Sequence, residues 1–299
     1  MDLRDLKYFE AIAVEGHLGR AAERLYRTQP ALTKCIDRLE EELGAKLFER
    51  AGRGLRLTAV GEVLLARTRQ MSIMMDETAR EIGDYAKGLE GHIRLGCAPT
   101  VAEHLLPQIC KDLLVEASKV TLELKVAMND ALLAGLKAGE LDVVLGPLTQ
   151  TDESFLSEEI IHDEMVVMAS AQHAIFQKEI TMRTLLDYSW VLPAPSVASR
   201  QWLDDAFDRH HLPRPRVQIT PTVINMILPL IEETGLLGFA SKLNLQTGRT
   251  KLREVPLPQT TMPRRMGLTF RRDLYLPPAA HRLIALIRKN RQGYGVRLG

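Results

Sequence analysis

A chain of 299 residues that is 45% hydrophobic can bury a large core and is long enough to divide into more than one domain. Its net charge of +1 excludes a uniformly basic or acidic protein, so any surface for a polyanion has to be local and balanced elsewhere. Cys35, Cys97 and Cys110 are odd in number and lack metal-ligand spacing, which fits a reducing cytoplasm, as does the lack of a signal-peptide pattern or a membrane-length apolar run.

Leu3, Leu6, Phe9, Ile12 and Ala13 share one helical face and predict an opening helix that ends near Gly16. Leu18, Ala21, Ala22 and Leu25 predict a short second helix. After a tight turn, Leu32, Ile36, Leu39 and Leu43 predict a third, with Thr28 as its N-cap and Pro30 in its first turn, where a missing N–H costs nothing. The opposite face of this third helix carries Gln29, Pro30, Thr33, Lys34 and Asp37. An amide, a hydroxyl and an ammonium near the N-terminal end of a one-sided helix suit a DNA major groove. Arg50, Arg53 and Arg56 follow, with Gly52 and Gly54 permitting a tight strand-turn-strand wing, and cations on a wing track the phosphate backbone. Arg27, in the turn, either reaches a phosphate or is a solvated charge, and its position alone leaves both open. Glu40, Glu41 and Glu42 are expected off the DNA face.

The run AAERLYRTQPALTKCIDRLEEELGAKLFER, followed by RGLRLT, resembles the LysR-type transcriptional regulators of bacteria. The resemblance joins the double Ala, QPAL, RLEEELG and LFER in fixed register and extends more weakly along the whole chain. It implies a winged helix-turn-helix reader, a dimerising linker helix and a C-terminal effector-sensing domain. Three departures bear on the reader, one being Arg27 at a turn position that is usually aliphatic in the family. Gly19 stands where the family usually caps the first reader helix with Ser or Thr, so a weaker cap is expected. Cys35 replaces a commonly polar residue and reads as a small half-buried side chain in preference to a redox sensor.

A proline-free helix follows over residues 59–89. Leu64, Thr68, Met71, Met75, Thr78, Ile82, Tyr85 and Leu89 alternate in steps of four and three, a heptad seam that predicts pairing with a second copy. Gly88 and Gly91 bracket an expected hinge. Beyond it HIRLGC, VTLELKV, LDVVLG, MVVMAS, WVLP, VQIT, LLGFA and MGLTF read as strands. Helices are expected over residues 100–116, 131–138, 199–210, 223–233 and 278–290. This is an α/β plan with parallel sheets behind an all-α winged reader. The resemblance implies two α/β subdomains related to type 2 periplasmic binding proteins, with crossings near Asp163 and Arg265. The expected division is residues 1–58, 59–89 and 92–299, the last split into 92–163 with 266–299, and 164–265.

Ligands of open α/β sheets settle at the carboxyl ends of strands, against helix N-termini. That rule selects Pro99, Thr100 and Val101, then Asn129, then Pro147, Leu148 and Thr149. From the second subdomain it selects Ser196, Val197, Ala198 and Ser199, then Thr222 and Val223, then Phe239. Hydroxyls and backbone N–H groups there suit a carboxylate. Arg200 either pairs with such a group or is a surface charge. WVLPAPS is similar to regulators of aromatic-acid or sugar catabolism, so the effector is expected to be an organic acid or sugar derivative. The expected partners are double-stranded DNA, that effector, further copies of the chain as a homodimer or homotetramer, and RNA polymerase. No metal, other cofactor or membrane is implied. A solute-binding protein or an enzyme working in the same cleft is the alternative, but no phosphate-cradling Gly-rich loop, GxSxG elbow or HExxH helix is present.

Overall fold

Asp2 accepts the Asp5 amide at 2.8 Å and so starts helix α1 (Leu3–Glu15), which Gly16 ends in the left-handed conformation at φ +60°. Helix α2 (Leu18–Arg24) is capped by His17, whose Nδ1 accepts the Gly19 amide at 3.0 Å. A ring nitrogen thus takes the place of the hydroxyl that Gly19 lacks. Helix α3 (Gln29–Leu43) buries Leu32, Ile36 and Leu39, with Cys35 between them, against Phe9, Ile12, Ala21, Ala22 and Leu47. Leu3 and Leu43, expected on the buried faces, lie at helix ends and stay exposed.

Strands β1 (Phe48–Ala51) and β2 (Gly54–Leu57) pair antiparallel as the wing. Gly52 supplies the positive φ of the turn. Gly54 serves close approach: a Cβ there would lie 2.7 Å from the Gly16 carbonyl oxygen, to which the Leu55 amide donates at 2.8 Å. The buried Glu40 carboxylate pins the other end of the wing, accepting from the Leu47 amide at 2.8 Å and Lys46 Nζ at 2.5 Å. Burial alone would raise that carboxyl, but these bonds hold it below its ordinary range.

Helix α4 (Ala59–Lys87) begins at Thr58, whose hydroxyl accepts the Gly61 amide at 3.0 Å. Leu64 and Leu65 pack on the reader core, and Thr68 is buried. Of the predicted seam, Met71, Met75, Thr78 and Ile82 are exposed, joined by Val60, Val63 and Met74. The apolar stripe is therefore displaced from the expected one at its start, where Leu64 serves the reader. The computed structural model describes residues 1–52, 54–87, 91–149, 152–245, 251–272 and 275–294. Arg53, Gly88 and Leu89 lie outside the described residues. Two compact units divide the chain, Met1–Gly83 and Asp84–Gly299.

Among the described residues the second unit is built on one nine-stranded sheet. In chain order it comprises β3 (His92–Cys97), α5 (Pro99–His104), α6 (Leu106–Glu116), β4 (Thr121–Val126), α7 (Asn129–Lys137), β5 (Val143–Pro147) and β6 (Phe155–Ser170). It continues with β7 (Trp190–Val191), α8 (Ala198–Arg209), β8 (Val217–Ile219), α9 (Ile227–Thr234), β9 (Leu237–Ser241), β10 (Leu252–Glu254), β11 (Met262–Arg271) and α10 (Pro278–Tyr294). Strand order is β4-β3-β5-β11-β6-β9-β7-β8, with β10 also paired to β6. The flanks β4-β3-β5 and β9-β7-β8 are parallel, as expected. The centre is not: β11 pairs antiparallel with both β5 and β6, so the sheet is mixed. The crossings near Asp163 and Arg265 are these two long strands, of which the sequence reading recognised only the apolar halves.

The helix expected over residues 100–116 is broken at Leu105, because Pro107 in the first turn of α6 offers no N–H and restricts the residue before it. Separate cores serve the two flanks. One surrounds Ile93, Leu95, Leu113, Leu268 and Ile287, and the other surrounds Trp190, Leu203, Phe207 and Leu237.

Candidate functional site

On the first unit the α3 face opposite the core is open. Gln29, Pro30, Thr33, Lys34 and Asp37 are exposed, as are Arg27 and Thr28 in the approach. Thr28 has N-cap geometry, but its side chain makes no capping bond, while the Thr33 hydroxyl donates to the Gln29 carbonyl at 3.1 Å. Arg27, Lys34 and Arg50 have no ion-pair partner among the described residues. Arg56 does: its Nε donates to Glu49 across the wing at 2.8 Å, so a phosphate has to compete for it. Tyr26, which the sequence reading passed over, is 94% exposed and sits at φ +53° immediately before Arg27. A left-handed non-glycine residue in a helix-helix turn is visible only once the backbone is known.

Cys35 is buried with its Sγ 3.4 Å from Asp5 Oδ1, and Arg38 pairs with the same carboxylate. Burial first, then the Asp5 charge, push its thiol up to about 12. That is the environment of an inert core thiol.

In the second unit a cavity of about 750 Å³ opens where the carboxyl ends of the parallel strands meet. Its wall includes Pro99 and Thr100 at the start of α5, and Asn129 at the start of α7. Pro147, Leu148 and Thr149 line it after β5, Val197, Ala198 and Ser199 at the start of α8, and Phe239 from β9. None of these three helices has a side-chain cap, so first-turn N–H groups remain available at the wall.

Four expected residues fall elsewhere. Val101 is 2% exposed and belongs to the core around Leu95, turned a third of a helical turn from Thr100. Ser196 is exposed in the turn before α8 and is not part of the wall. Thr222 and Val223 are also exposed outside it, because a 3₁₀ turn at Ile224–Met226 precedes α9 and brings Ile224, Asn225, Ile227 and Leu228 to the wall instead. Arg200 is buried and donates to Asp204 at 2.8 Å one turn on, so it serves α8 rather than a ligand.

The sequence reading missed the charged residues of the wall and two of its polar ones: Glu103, His162, Asp163, Glu164, Arg264 and Arg265, with Ser241 and Asn244. Arg264 and Asp163 stand opposite each other on the β6–β11 ladder and form an ion pair. The signal lay in two charged residues at the crossings themselves, which hydrophobic patterning treats as loop. Phe239 is backed by Trp202, their rings stacked at 5.9 Å and 4°. Among the described residues no group of side chains could hold a metal ion, and no helix is long and apolar enough to cross a membrane.

Residues 3–62 match the family described as bacterial regulatory helix-turn-helix protein, lysR family, and residues 86–292 match the LysR substrate binding domain. The chain is 32% identical over 205 residues to the uncharacterized HTH-type transcriptional regulator YdcI of Escherichia coli K12, covering 68% of this chain and 66% of that protein. To the HTH-type transcriptional regulator TfdT of Cupriavidus pinatubonensis it is 34% identical over 166 residues, 54% of this chain and 73% of that one. The chain thus spans about two thirds of the length of the first of these relatives. Full-length CbnR complexed with its target DNA superposes with a TM-score of 0.65 at 21% identity, over 97% of this chain and 99% of that one. The effector binding domain of QuiR in complex with shikimate gives 0.60 at 14% identity, over 69% of this chain and 99% of that one. These two likenesses concern fold.

The buried, raised thiol of Cys35 has a direct consequence. At pH 8 iodoacetamide should leave it unlabelled in the native protein over a time in which the urea-unfolded chain is labelled completely. Peptide mass spectrometry reads the difference, and rapid native labelling of Cys35 would reject the inert-core assignment.

Proposed function

The chain belongs to the LysR family of bacterial helix-turn-helix regulators, and from that premise we propose a transcription factor that grips operator DNA with α3 and the wing and answers to a small molecule in the cavity. The observation that carries this reading is the open face of α3, with Gln29, Thr33 and Lys34 exposed, and a wing that bears Arg50 and Arg56. Gln29, Thr33 and Lys34 read base edges, and Thr28 and Pro30 set the approach of the helix N-terminus. Arg27 and the wing arginines neutralise phosphates, with Arg56 exchanging Glu49 for the duplex. The CbnR–DNA complex supports the choice of partner, since that protein shares this chain's fold throughout.

The cavity takes the effector, an organic acid or sugar derivative, on Thr100, Asn129, Ser199 and their neighbours. The QuiR–shikimate structure supports a small-molecule site in this fold. The exposed apolar stripe of α4, with Val63 and Ile82 each 64% exposed, supports pairing of two copies along that helix, and hence a two-fold operator. Effector occupancy biases the crossing strands, changes the presentation of the readers and alters access for RNA polymerase, all in the cytoplasm.

Three measurements test the reading. Thr33→Ala should relax operator choice by about 1–3 kcal/mol. Lys34→Ala should do the same or weaken all sequences alike. Unchanged footprints for both would remove α3 from the interface. Met74→Asp combined with Ile82→Asp should convert the sedimenting species to single subunits, whereas an undisturbed oligomer would clear α4 of that role. Thr100→Trp should fill the cavity, leaving operator binding intact and abolishing induction in a reporter strain. Normal induction would refute the cavity assignment.

A further inference from the structure

Helix α5 is tied back onto itself by a ring of polar contacts that passes through four other elements. The Thr100 hydroxyl lies 3.5 Å from Nη2 of Arg264 on β11. That guanidinium grips Asp163 on β6, Nε donating to Oδ2 at 3.0 Å and Nη2 donating to the same oxygen. Asp163 Oδ1 accepts the Ser241 hydroxyl at 2.7 Å, at the end of β9. The Asn244 side-chain amide donates to the Ser241 carbonyl at 2.8 Å. Its oxygen therefore faces His104 Nε2, 2.8 Å away, and His104 is on α5 again, one turn after Thr100.

The ring fixes the guanidinium and dictates which of its donors remain. The Asp163 side chain is fully buried and that of Arg264 only 13% exposed. Nε and Nη2 are committed, while Nη1 makes no hydrogen bond with any described residue. Arg264 lines the cavity, as do Met165, Phe239 and Met262. A charged donor left unpaired on a cavity wall is a strong, directional demand for an acceptor. Arg265 and His162, opposite each other at the next ladder position, line the same cavity, and Glu159 answers both at 4.0 Å and 2.8 Å. Of the acids on the wall, Glu164 is held by Lys242 at 3.1 Å and Glu103 is exposed.

We infer that Arg264 is the anchor for the effector's anionic end, so that the cavity selects small molecules bearing a carboxylate, with Asp163 the positioning residue that aims the guanidinium. This rests on the cavity being the effector site. A carboxylate accepts from Nη1 without giving up any bond of the ring, whereas an ammonium cannot accept from Nη1 and is repelled by the guanidinium charge.

The full chain tests this by Trp202 fluorescence, since Trp202 stacks on the cavity residue Phe239. The titrants are benzoate, cyclohexanecarboxylate and shikimate, the primary amide of each, and benzylamine. At least one acid should bind wild type, at least tenfold more tightly than its amide. The double variant Arg264→Met with Asp163→Asn, which leaves no charge buried alone, should weaken that acid tenfold or more and leave the amide unchanged. If the double variant fails to fold, Arg264→Lys takes its place, because Lys lacks the planar fork that holds Asp163 on one edge and presents Nη1 to the ligand on the other. Equal binding of acid and amide, acid binding within twofold in the variant, preference for the amine, or no acid bound at all would each overturn the anchor. If instead Thr100→Trp leaves acid affinity at the wild-type value, the cavity itself is the wrong site, a failure distinct from that of Arg264.

Discussion

The antiparallel ladder between β6 and β11 is the constraint on which the larger unit depends. Two parallel half-sheets hang on it, β5 pairing with β11 on one side and β9 with β6 on the other. The ladder carries one irregularity, between Met266 and Gly267, where Ile160 is left without a partner. Only glycine fits there, because a Cβ at position 267 would lie 2.0 Å from the Glu158 carbonyl oxygen. Asp163 and Arg264 face each other just beyond it. Taking one of them away would leave the other charge buried alone, at a cost of about 3–5 kcal/mol. Keeping both contributes far less net stability than that.

The reader unit solves a different problem. It is small, and its parts are registered by short polar pins around a modest apolar core. Asp2 and His17 cap two helices, Glu40 ties the end of α3 to the start of the wing, and the Gly16 carbonyl holds the far strand of the wing. Removing any core aromatic such as Phe9, whose exposure is zero, would cost about 3–5 kcal/mol. The pins decide where the outer face of α3 lies relative to the wing, and that geometry is what a DNA groove reads.

The two surfaces proposed to carry function differ in how their charges are held. On the reader, Lys34, Arg27 and Arg50 stand open in water, and as the proposed DNA contacts they would act through long-range attraction and salt-dependent contact. In the cavity the guanidinium of Arg264 is enclosed and aimed by fixed partners, so its attraction is short-ranged and discriminates by shape. An open set of cations suits sliding and search. An enclosed one suits recognition of a single small group.

Elements with a strong local pattern were legible from the chain alone. The apolar spacing of Leu32, Ile36 and Leu39, the helix-ending glycines at 16 and 44, and the apolar runs of β3, β5 and β9 state their conformation and buried face within a few residues. The strand-end rule likewise brought Thr100, Asn129, Leu148, Ser199 and Phe239 to one wall. What tertiary structure alone decided was everything set by partners distant in sequence. FLSEEIIHDE has no strand alternation that patterning recognises and becomes half of β6 because β11 pairs with it. Val101 turned inward, the 3₁₀ turn at Ile224–Met226 shifted the wall past Thr222, and Arg200 found Asp204. Asp163 and Arg264 are 101 positions apart, and no local preference of either could announce that folding would set them side by side on the cavity wall.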